Sequence, residues 1–296
     1  MDQKISGILD KYKDLVWPEI QKYLKDPKYP KQFLIPNKFK KEAALYWRIN
    51  KVYPGRKGKY IRPILLLLTA RAMGANTKTI IKPAAAMQLS EEWILIHDDI
   101  EDNSEERRGA PTLHKIYGHE LAINAGDSLQ IIMWKIINDL GSNALVEEFY
   151  KMLIRTTLGQ GVEQIWTNRK KKSISKDQYF FIADSKSAYY SIAGPMRLGA
   201  ILAKASFGQL EKITEFGLHL GRCFQLIDDI LDLEQDKKEG KVTLANTKGT
   251  AFAKKLAKGE KDKAEEIFEK DLKFLSREPA RSELREIINF VLEREY

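Results

Sequence analysis

Apolar residues recur along most of the chain at the three- and four-residue spacing of amphipathic helices, as at Ile213, Phe216 and Leu220. Alternating apolar and polar positions, the pattern of strands, are almost absent. The pattern predicts helices near residues 3–25, 38–50, 59–73, 77–102, 119–139, 143–168, 175–205, 209–236, 250–275 and 279–295. Since no low-complexity linker interrupts them, we expect one all-α domain spanning residues 1–296.

Composition supports a folded and soluble protein. Hydrophobic residues make up 43% and aromatic residues 10% of the chain, enough for a sizeable core. The longest apolar run, residues 64–68, is far shorter than the roughly 20 residues of a membrane span. The charged N-terminus does not resemble a signal peptide, and the single cysteine, Cys223, fits a reducing compartment. We therefore expect a cytoplasmic protein without an integral membrane segment.

The net charge of +9 has three interpretations. It fits nucleic-acid binding, a lysine-rich solvated surface, or a local site for polyanions such as diphosphates. The charge by itself does not choose among them. No nucleic-acid recognition motif accompanies it, so we expect no nucleic-acid partner.

Two acidic clusters carry the most information. Asp98, Asp99 and Asp102 end one apolar run, and Asp228, Asp229 and Asp232 end another, 130 positions later. Each cluster reads Asp-Asp-x-x-Asp. Positions i and i+4 share a helix face, so Asp98 is expected beside Asp102 and Asp228 beside Asp232.

Clustered carboxylates repel one another and are costly to bury unpaired, so a cation is expected among them. Mg²⁺ prefers oxygen ligands and typically takes one or two carboxylates together with substrate phosphate oxygens. Neither cluster has a cysteine partner, and His97 is interpreted as a packing or hydrogen-bonding residue. The clusters therefore suggest Mg²⁺ bridging to a diphosphate rather than a structural zinc.

Basic residues flank the first cluster on both sides. Arg107 and Arg108 lie on a predicted loop marked by Gly109 and Pro111. Guanidinium groups match phosphate oxygens in bidentate geometry, so adjacent arginines can bind two different anions. Upstream, residues 58–63 open a predicted helix, and helix starts favour anions. With helical spacing, Lys59 and Arg62 would point the same way.

Together these residues resemble the trans-isoprenyl diphosphate synthases, which include the farnesyl and geranylgeranyl diphosphate synthases. The resemblance runs in order through residues 55–245. Its motifs are GKYIRP (58–63), DDIED (98–102), RRGAPT (107–112), AGD (125–127), GQGVE (159–163), Lys186-Ser187 and FQLIDDILD (224–232).

The resemblance implies an all-α isoprenoid synthase bundle around a deep central cavity, usually in a homodimer. It implies head-to-tail condensation of isopentenyl diphosphate with an allylic diphosphate, with three Mg²⁺ ions per site as cofactor. Asp98, Asp102 and Asp228 would bind Mg²⁺ directly, and Asp232 belongs to the same metal set. Asp99 and Asp229 would have supporting catalytic roles.

The resemblance also assigns the substrate residues. The allylic diphosphate would contact Arg107, Lys186, Gln225 and Lys241. Isopentenyl diphosphate would contact Gly58, Lys59, Arg62 and Arg108.

Three positions depart from the family pattern. Seven positions before Asp98 the family usually has His or Gln, whereas this chain has Glu91, which should repel a diphosphate unless Lys or Arg neutralises it. Ser187 replaces a threonine and keeps the hydroxyl. The segment after Asp232 is short, so Lys241 is matched to a late lysine of the family, while Lys237 or Lys238 is a candidate for an earlier one.

Product length is expected to depend on bulk just before the first aspartate cluster. Helical spacing favours Ile94 as the residue below Asp98, whereas the family pattern favours Trp93. Following the family, we assign the floor of the cavity to Trp93. One large residue there suggests a C20 product, with C15 next.

Two other functions are compatible with parts of this sequence. A class I terpene synthase shares the metal-diphosphate chemistry but usually lacks an element such as GKYIRP. A non-catalytic subunit of a heteromeric prenyl synthase would usually have lost metal aspartates, although Glu91 and the short segment 236–243 are compatible with it.

Overall fold

The computed structural model describes residues 3–292, and almost all of its regular structure is helical. The helices of this part of the chain are α1 (Gln3–Tyr23), α2 (Lys40–Asn50), α3 (Val52–Arg56), α4 (Ile61–Ala72), α5 (Thr77–Glu101), α6 (Leu113–Tyr117), α7 (His119–Asn138), α8 (Asn143–Asn168), α9 (Lys176–Ile182), α10 (Gly194–Leu202), α11 (Phe207–Leu231), α12 (Leu233–Glu239), α13 (Leu244–Lys248), α14 (Thr250–Lys270) and α15 (Ala280–Leu292). Two 3-10 turns (Lys31–Phe33 and Asn37–Phe39), a π-helix (Ala183–Ala193) and two short strands, β1 (Glu106–Arg107) and β2 (Ala110–Pro111), complete the elements.

Most long helices lie where the periodicity predicts them. The prediction for 143–168 matches α8, and that for 77–102 differs from α5 by one residue. The helix predicted over 209–236 is wrong in one respect, because α11 ends at Leu231 and α12 begins at Leu233. The predicted end of the last helix, beyond residue 292, lies outside the described residues.

The helix predicted over 59–73 begins later, at Ile61. Tyr60 has φ +60°, a left-handed conformation that a right-handed helix does not admit. Lys59 therefore precedes the helix, and the expectation that helical spacing aligns it with Arg62 is wrong.

The described residues form two compact units. One contains residues 64–80 and 142–292 together with the start of α1, and the other contains residues 7–63 and 81–141. In the first unit, α11 packs against the π-helix and α14. Its buried face carries Ile213, Phe216 and Leu220, each fully inaccessible.

Close packing in the first unit depends on glycine. A Cβ added at Gly221 would lie 2.3 Å from the Cα of Ala188, and one at Gly217 would lie 2.5 Å from the Cα of Ala193. The backbones of α11 and the π-helix therefore approach more closely than any side chain at these two positions allows.

In the second unit, α2 packs against α7, and α6 also contacts α7. The hydroxyl of Tyr46 on α2 donates to the carbonyl of Asn124 on α7, at 2.7 Å. Residues 83–90 of α5 are buried on all sides of the helix, and their apolar side chains include Met87 and Leu89. Across residues 3–292, no helix combines the length and apolar character needed to cross a bilayer.

Candidate active-site residues

The first aspartate cluster lies where α5 ends. The amide of Asp102 donates to the carbonyl of Asp98 at 2.9 Å, so the two residues are one helical turn apart. Both side chains are partly exposed, whereas Asp99 between them is fully buried. The end of α5 thus presents two carboxylates outward and holds the third inside.

Asp99 is held by two partners of its own unit. The hydroxyl of Tyr53 donates to Oδ2, and Arg107 donates from Nε to Oδ1 at 2.9 Å as well as from Nη2. Burial and the hydrogen bond to Asp99 raise the pKa of Tyr53 above its usual value, so it remains a donor. Asp99 therefore positions Arg107, whose Nη2 also lies 3.6 Å from Oδ2 of Asp98.

The arginine pair lies on a β-hairpin rather than on an irregular loop. Strands β1 and β2 pair antiparallel, with Arg107 opposite Ala110. Arg108 and Gly109 connect them, both with positive φ (56° and 72°), which is the conformation of a two-residue type I′ turn. Arg56 fixes the hairpin by donating to the carbonyls of Arg107 and Pro111 at 3.1 Å and 2.7 Å.

Glu91 lies between two arginines. Its Oε1 is 3.1 Å from Nη1 of Arg62 and 3.7 Å from Nη2 of Arg108. The positive charge that the sequence argument required is therefore present in the folded unit. The same two arginines are those that the family resemblance assigns to isopentenyl diphosphate.

Neighbouring residues enclose this acidic and basic cluster. Glu92 is fully buried and accepts from Nη1 of Arg108 at 2.9 Å and from Nε2 of Gln88 at 2.6 Å. Burial raises the pKa of Glu92 to about 7, against the opposing influence of Arg108. Gly58 lies against the guanidinium of Arg108, where a Cβ would be 2.7 Å from Nη2, and the exposed Lys59 follows it.

The second aspartate cluster repeats the arrangement of the first at the end of α11. The amide of Asp232 donates to the carbonyl of Asp228 at 2.8 Å, again one turn apart. Asp228 is half-buried and Asp232 is exposed, whereas Asp229 is buried.

Asp229 is also held by a tyrosine. The hydroxyl of Tyr179 donates to Oδ2 at 2.7 Å, and Nε2 of Gln225 donates to Oδ1 at 2.7 Å. Burial raises the pKa of Asp229 to about 7. The hydroxyl of Ser187 donates to Oε1 of Gln225, so the π-helix and α11 share one polar network.

The lysines of the first unit lie beside acidic residues. Nζ of Lys186 on the π-helix is 2.6 Å from Oε2 of Glu163 on α8, and both line a cavity with Ser187, Gln225 and Asp229. Nζ of Lys241 is 2.8 Å from Glu239, and its amide donates to the carbonyl of Asp236 at 2.9 Å. Lys237 instead pairs with Glu234 in an exposed position. The side chain of Lys241 is 19% exposed, whereas that of Lys237 is 51% exposed.

The donor set of each cluster fits Mg²⁺. Each helix end presents two carboxylates one turn apart and no sulfur ligand, which are the hard oxygen donors that Mg²⁺ prefers. Within residues 3–292, no three acidic, histidine or cysteine side chains converge into a complete metal cage. Two carboxylates at each helix end would leave the remaining coordination positions of Mg²⁺ to substrate oxygens and water.

Trp93 and His97 lie on the same stretch of α5. Trp93 is buried and meets the ring of His97 edge-on, with the centroids 5.8 Å apart. Nε2 of His97 lies 3.4 Å from the carbonyl of Ile123 and 3.5 Å from Oδ1 of Asp127. Ile94 is partly exposed.

Sequence reasoning missed the two tyrosines. Tyr53 is 46 positions from Asp99, and Tyr179 is 50 positions from Asp229. No local spacing links residues so far apart. The sequence could have indicated only that the middle aspartate of each cluster, once buried, needs hydrogen-bond donors. It could not have indicated which residues supply them.

Solved structures share this fold. An isoprenoid synthase family member from Thermotoga neapolitana matches with a TM-score of 0.75 and 24% identity, covering 94% of this chain and 96% of that chain. Geranylgeranyl pyrophosphate synthetase from Geoglobus acetivorans matches with a TM-score of 0.80 and 23% identity, covering 99% and 100%. The fold is therefore the all-α isoprenoid synthase fold, as predicted from the sequence.

The family follows from the sequence comparisons. The model of the polyprenyl synthetase family matches residues 45–291, and the chain belongs to this family. It is 32% identical over 218 residues to farnesyl diphosphate synthase of Geobacillus stearothermophilus, covering 70% of this chain and 73% of that protein. It is 33% identical over 189 residues to geranylgeranyl diphosphate synthase of Saccharolobus solfataricus, covering 62% of this chain but 56% of that protein's length.

Proposed function

We propose that this chain is a Mg²⁺-dependent trans-prenyltransferase that condenses isopentenyl diphosphate with an allylic diphosphate, head to tail. The observation that carries the proposal is the repeated Asp-Asp-x-x-Asp arrangement. In each copy two carboxylates lie one turn apart at a helix end, and a tyrosine holds the middle one. We treat residues 1–296 as one catalytic domain.

The basic residues have distinct roles in this proposal. Arg107 and Lys186 bind the allylic diphosphate, helped by Gln225 and Lys241, and stabilise the charge that develops as it leaves. Asp99 keeps the guanidinium of Arg107 oriented through its two hydrogen bonds. Each basic group has an acidic partner within its own unit, so each is oriented before substrate binds.

Asp98 and Asp102 in one cluster, and Asp228 and Asp232 in the other, would hold the metal ions, three per site. Bound Mg²⁺ supplies Lewis-acid stabilisation of the leaving diphosphate. The carboxylates act as ligands rather than general bases. Isopentenyl diphosphate binds at Arg62 and Arg108, with Lys59 and the small Gly58 beside them.

The test is turnover by the purified chain with Mg²⁺, isopentenyl diphosphate and allylic primers of increasing length, followed by sizing of the dephosphorylated products. Asp98→Asn and Asp228→Asn should each lower kcat by about 10²–10³-fold, the scale of removing one preorganised electrostatic contact to a developing charge. Asp139→Asn is the matched control, because Asp139 is an exposed partner of Lys135.

The outcomes separate the alternatives. A terpene synthase would consume an allylic diphosphate but ignore isopentenyl diphosphate. A non-catalytic subunit would show no turnover alone, and its aspartate variants would be indistinguishable from the parent chain. Either result would refute the proposal.

We further propose that Trp93 limits product growth and that geranylgeranyl diphosphate (C20) is the main product, with farnesyl diphosphate (C15) next. Trp93 is large, buried and five positions before Asp98 on α5. Ile94 is smaller and is the second candidate.

A homodimer is proposed from exposed apolar side chains. On α8, Ile154, Leu158 and Ile165 are exposed at the spacing of one helix face. Sedimentation equilibrium should show a dimer that Leu158→Glu dissociates, whereas Ile116→Glu, at an exposed position on α6, should leave it intact. A monomeric parent chain would refute this assembly.

We also propose a cytoplasmic location, because the free and buried Cys223 is compatible with a reducing compartment.

A further inference from the structure

An unusually exposed segment follows the first helix. In residues 25–41, which we call the basic-aromatic segment, every residue is exposed except the partly exposed Ile35. Four large apolar side chains lie here in solvent: Tyr29, Phe33, Leu34 and Phe39. Phe33 is 74% exposed and Leu34 is 60% exposed. A cluster of this kind usually marks an interaction surface.

The backbone of the segment is ordered by two turns. The amide of Phe33 donates to the carbonyl of Pro30 at 2.8 Å, and that of Phe39 donates to Pro36 at 2.9 Å. Each turn is a 3-10 helix preceded by a proline, which restricts the chain. Phe33 and Leu34 therefore sit at fixed backbone positions rather than on a structureless loop.

Charge accompanies the apolar groups. The segment contains six lysines and one aspartate, a net charge of +5 within seventeen residues. Nζ of Lys38 lies 4.8 Å from the centroid of the Phe39 ring, so basic and aromatic groups are interleaved. Lysine is depleted from protein–protein interfaces. Lysine combined with phenylalanine and leucine is instead typical of segments that lie in a membrane interface.

We propose that the basic-aromatic segment binds the surface of an anionic lipid bilayer, with Phe33 and Leu34 entering the interface and the lysines contacting headgroups. The segment's charge of +5 is complementary to anionic headgroups, whereas pairing with the same segment of a second copy would bring like charges together. The binding is peripheral and does not depend on the proposed enzymatic activity.

The test measures co-sedimentation of the full chain with vesicles of phosphatidylcholine alone and with 30% phosphatidylglycerol, at low and high salt. Binding is expected only to the anionic vesicles. It should weaken as salt rises, because salt screens the attraction between the lysines and the anionic headgroups. Phe33→Ser combined with Leu34→Ser should lower the partition coefficient by about tenfold or more. Lys38→Glu combined with Lys41→Glu should lower it by at least about tenfold, since each lysine near an anionic surface is worth about fivefold.

Two controls match these variants. Phe207→Ser removes a phenylalanine that is 78% exposed but lies outside the segment. Lys254→Glu combined with Lys255→Glu makes the same charge change at exposed positions of α14. Both controls should bind vesicles like the parent chain. Phe33→Trp should strengthen binding, because tryptophan favours the membrane interface, and this gain cannot arise from misfolding.

Any of three results would overturn the proposal. Equal binding to neutral and anionic vesicles, or equal losses in the segment and control variants, would show that the segment does not recognise lipid charge. If the Phe33 and Leu34 variant retained vesicle binding but shifted the chain from dimer to monomer in sedimentation velocity, the segment would be a contact between copies instead.

Discussion

Replacing Glu91 with glutamine tests the least usual feature of the proposed isopentenyl diphosphate site. Glu91 places a carboxylate 3.1 Å from Arg62 and 3.7 Å from Arg108, where the family usually carries His or Gln. An incoming diphosphate must share these guanidiniums with an internal anion. Glu91→Gln removes the charge while keeping the length of the side chain and a carbonyl acceptor.

The size of the effect follows from Coulomb's law. A unit charge of diphosphate on the far side of the guanidiniums would lie about 8 Å from the Glu91 carboxylate. At an effective dielectric of about 20 the repulsion is about 2 kcal/mol. Solvent at the open side of the site reduces this figure. We expect KM for isopentenyl diphosphate to fall about 10- to 30-fold in the variant, since about 1.4 kcal/mol corresponds to tenfold.

The assay is steady-state turnover with isopentenyl diphosphate varied and the allylic primer saturating. Because Glu91 contacts the binding arginines and neither aspartate cluster, kcat should change less than about twofold. Glu105→Gln is the matched control, since Glu105 is an exposed glutamate paired with Lys115. An unchanged or higher KM in Glu91→Gln would refute the repulsion and would mean that Glu91 orients the arginines for the substrate.

Three further predictions concern stability and product length. The folded-state pKa of Glu92 is raised to about 7 from 4.5, so its stability contribution is fully present below pH 4.5 and is lost as pH rises through 7. Glu92→Gln should remove up to about 3 kcal/mol of this pH dependence in urea unfolding; parallel pH profiles for the two chains would contradict it. Gly221→Ala should destabilise the fold by about 1–3 kcal/mol, because its Cβ would meet Ala188. Gly259→Ala, whose Cβ would have nothing within 4 Å, should instead stabilise α14 by about 0.5–1 kcal/mol. Equal melting temperatures of these two variants would disprove the packing argument. Trp93→Ala should lengthen the main product in chromatography, and an unchanged length distribution would remove Trp93 from its assigned role.

Local sequence pattern was sufficient for most of the secondary structure. The bounds of the long helices α5 and α8 were predicted within one residue. The two aspartate clusters were found in the same way, because Asp-Asp-x-x-Asp at the end of an apolar run places its outer carboxylates one turn apart in any helix. Predictions were wrong where one residue's backbone conformation decided the outcome. The positive φ of Tyr60 makes α4 begin at Ile61, and the non-helical backbone of Asp232 separates α11 from α12.

Tertiary structure decided how each charged side chain is used. Asp98 and Asp99 have the same side chain, yet Asp98 is partly exposed, whereas Asp99 is buried and accepts hydrogen bonds from Tyr53 and Arg107. The sequence also identified Glu91 as an unfavourable charge for a diphosphate site, but only the folded unit brings Arg62 and Arg108 to it. Helical periodicity is a short-range property of the backbone and can be read along the chain. Burial and ion pairing depend on residues tens of positions apart, and only the folded chain brings those residues together.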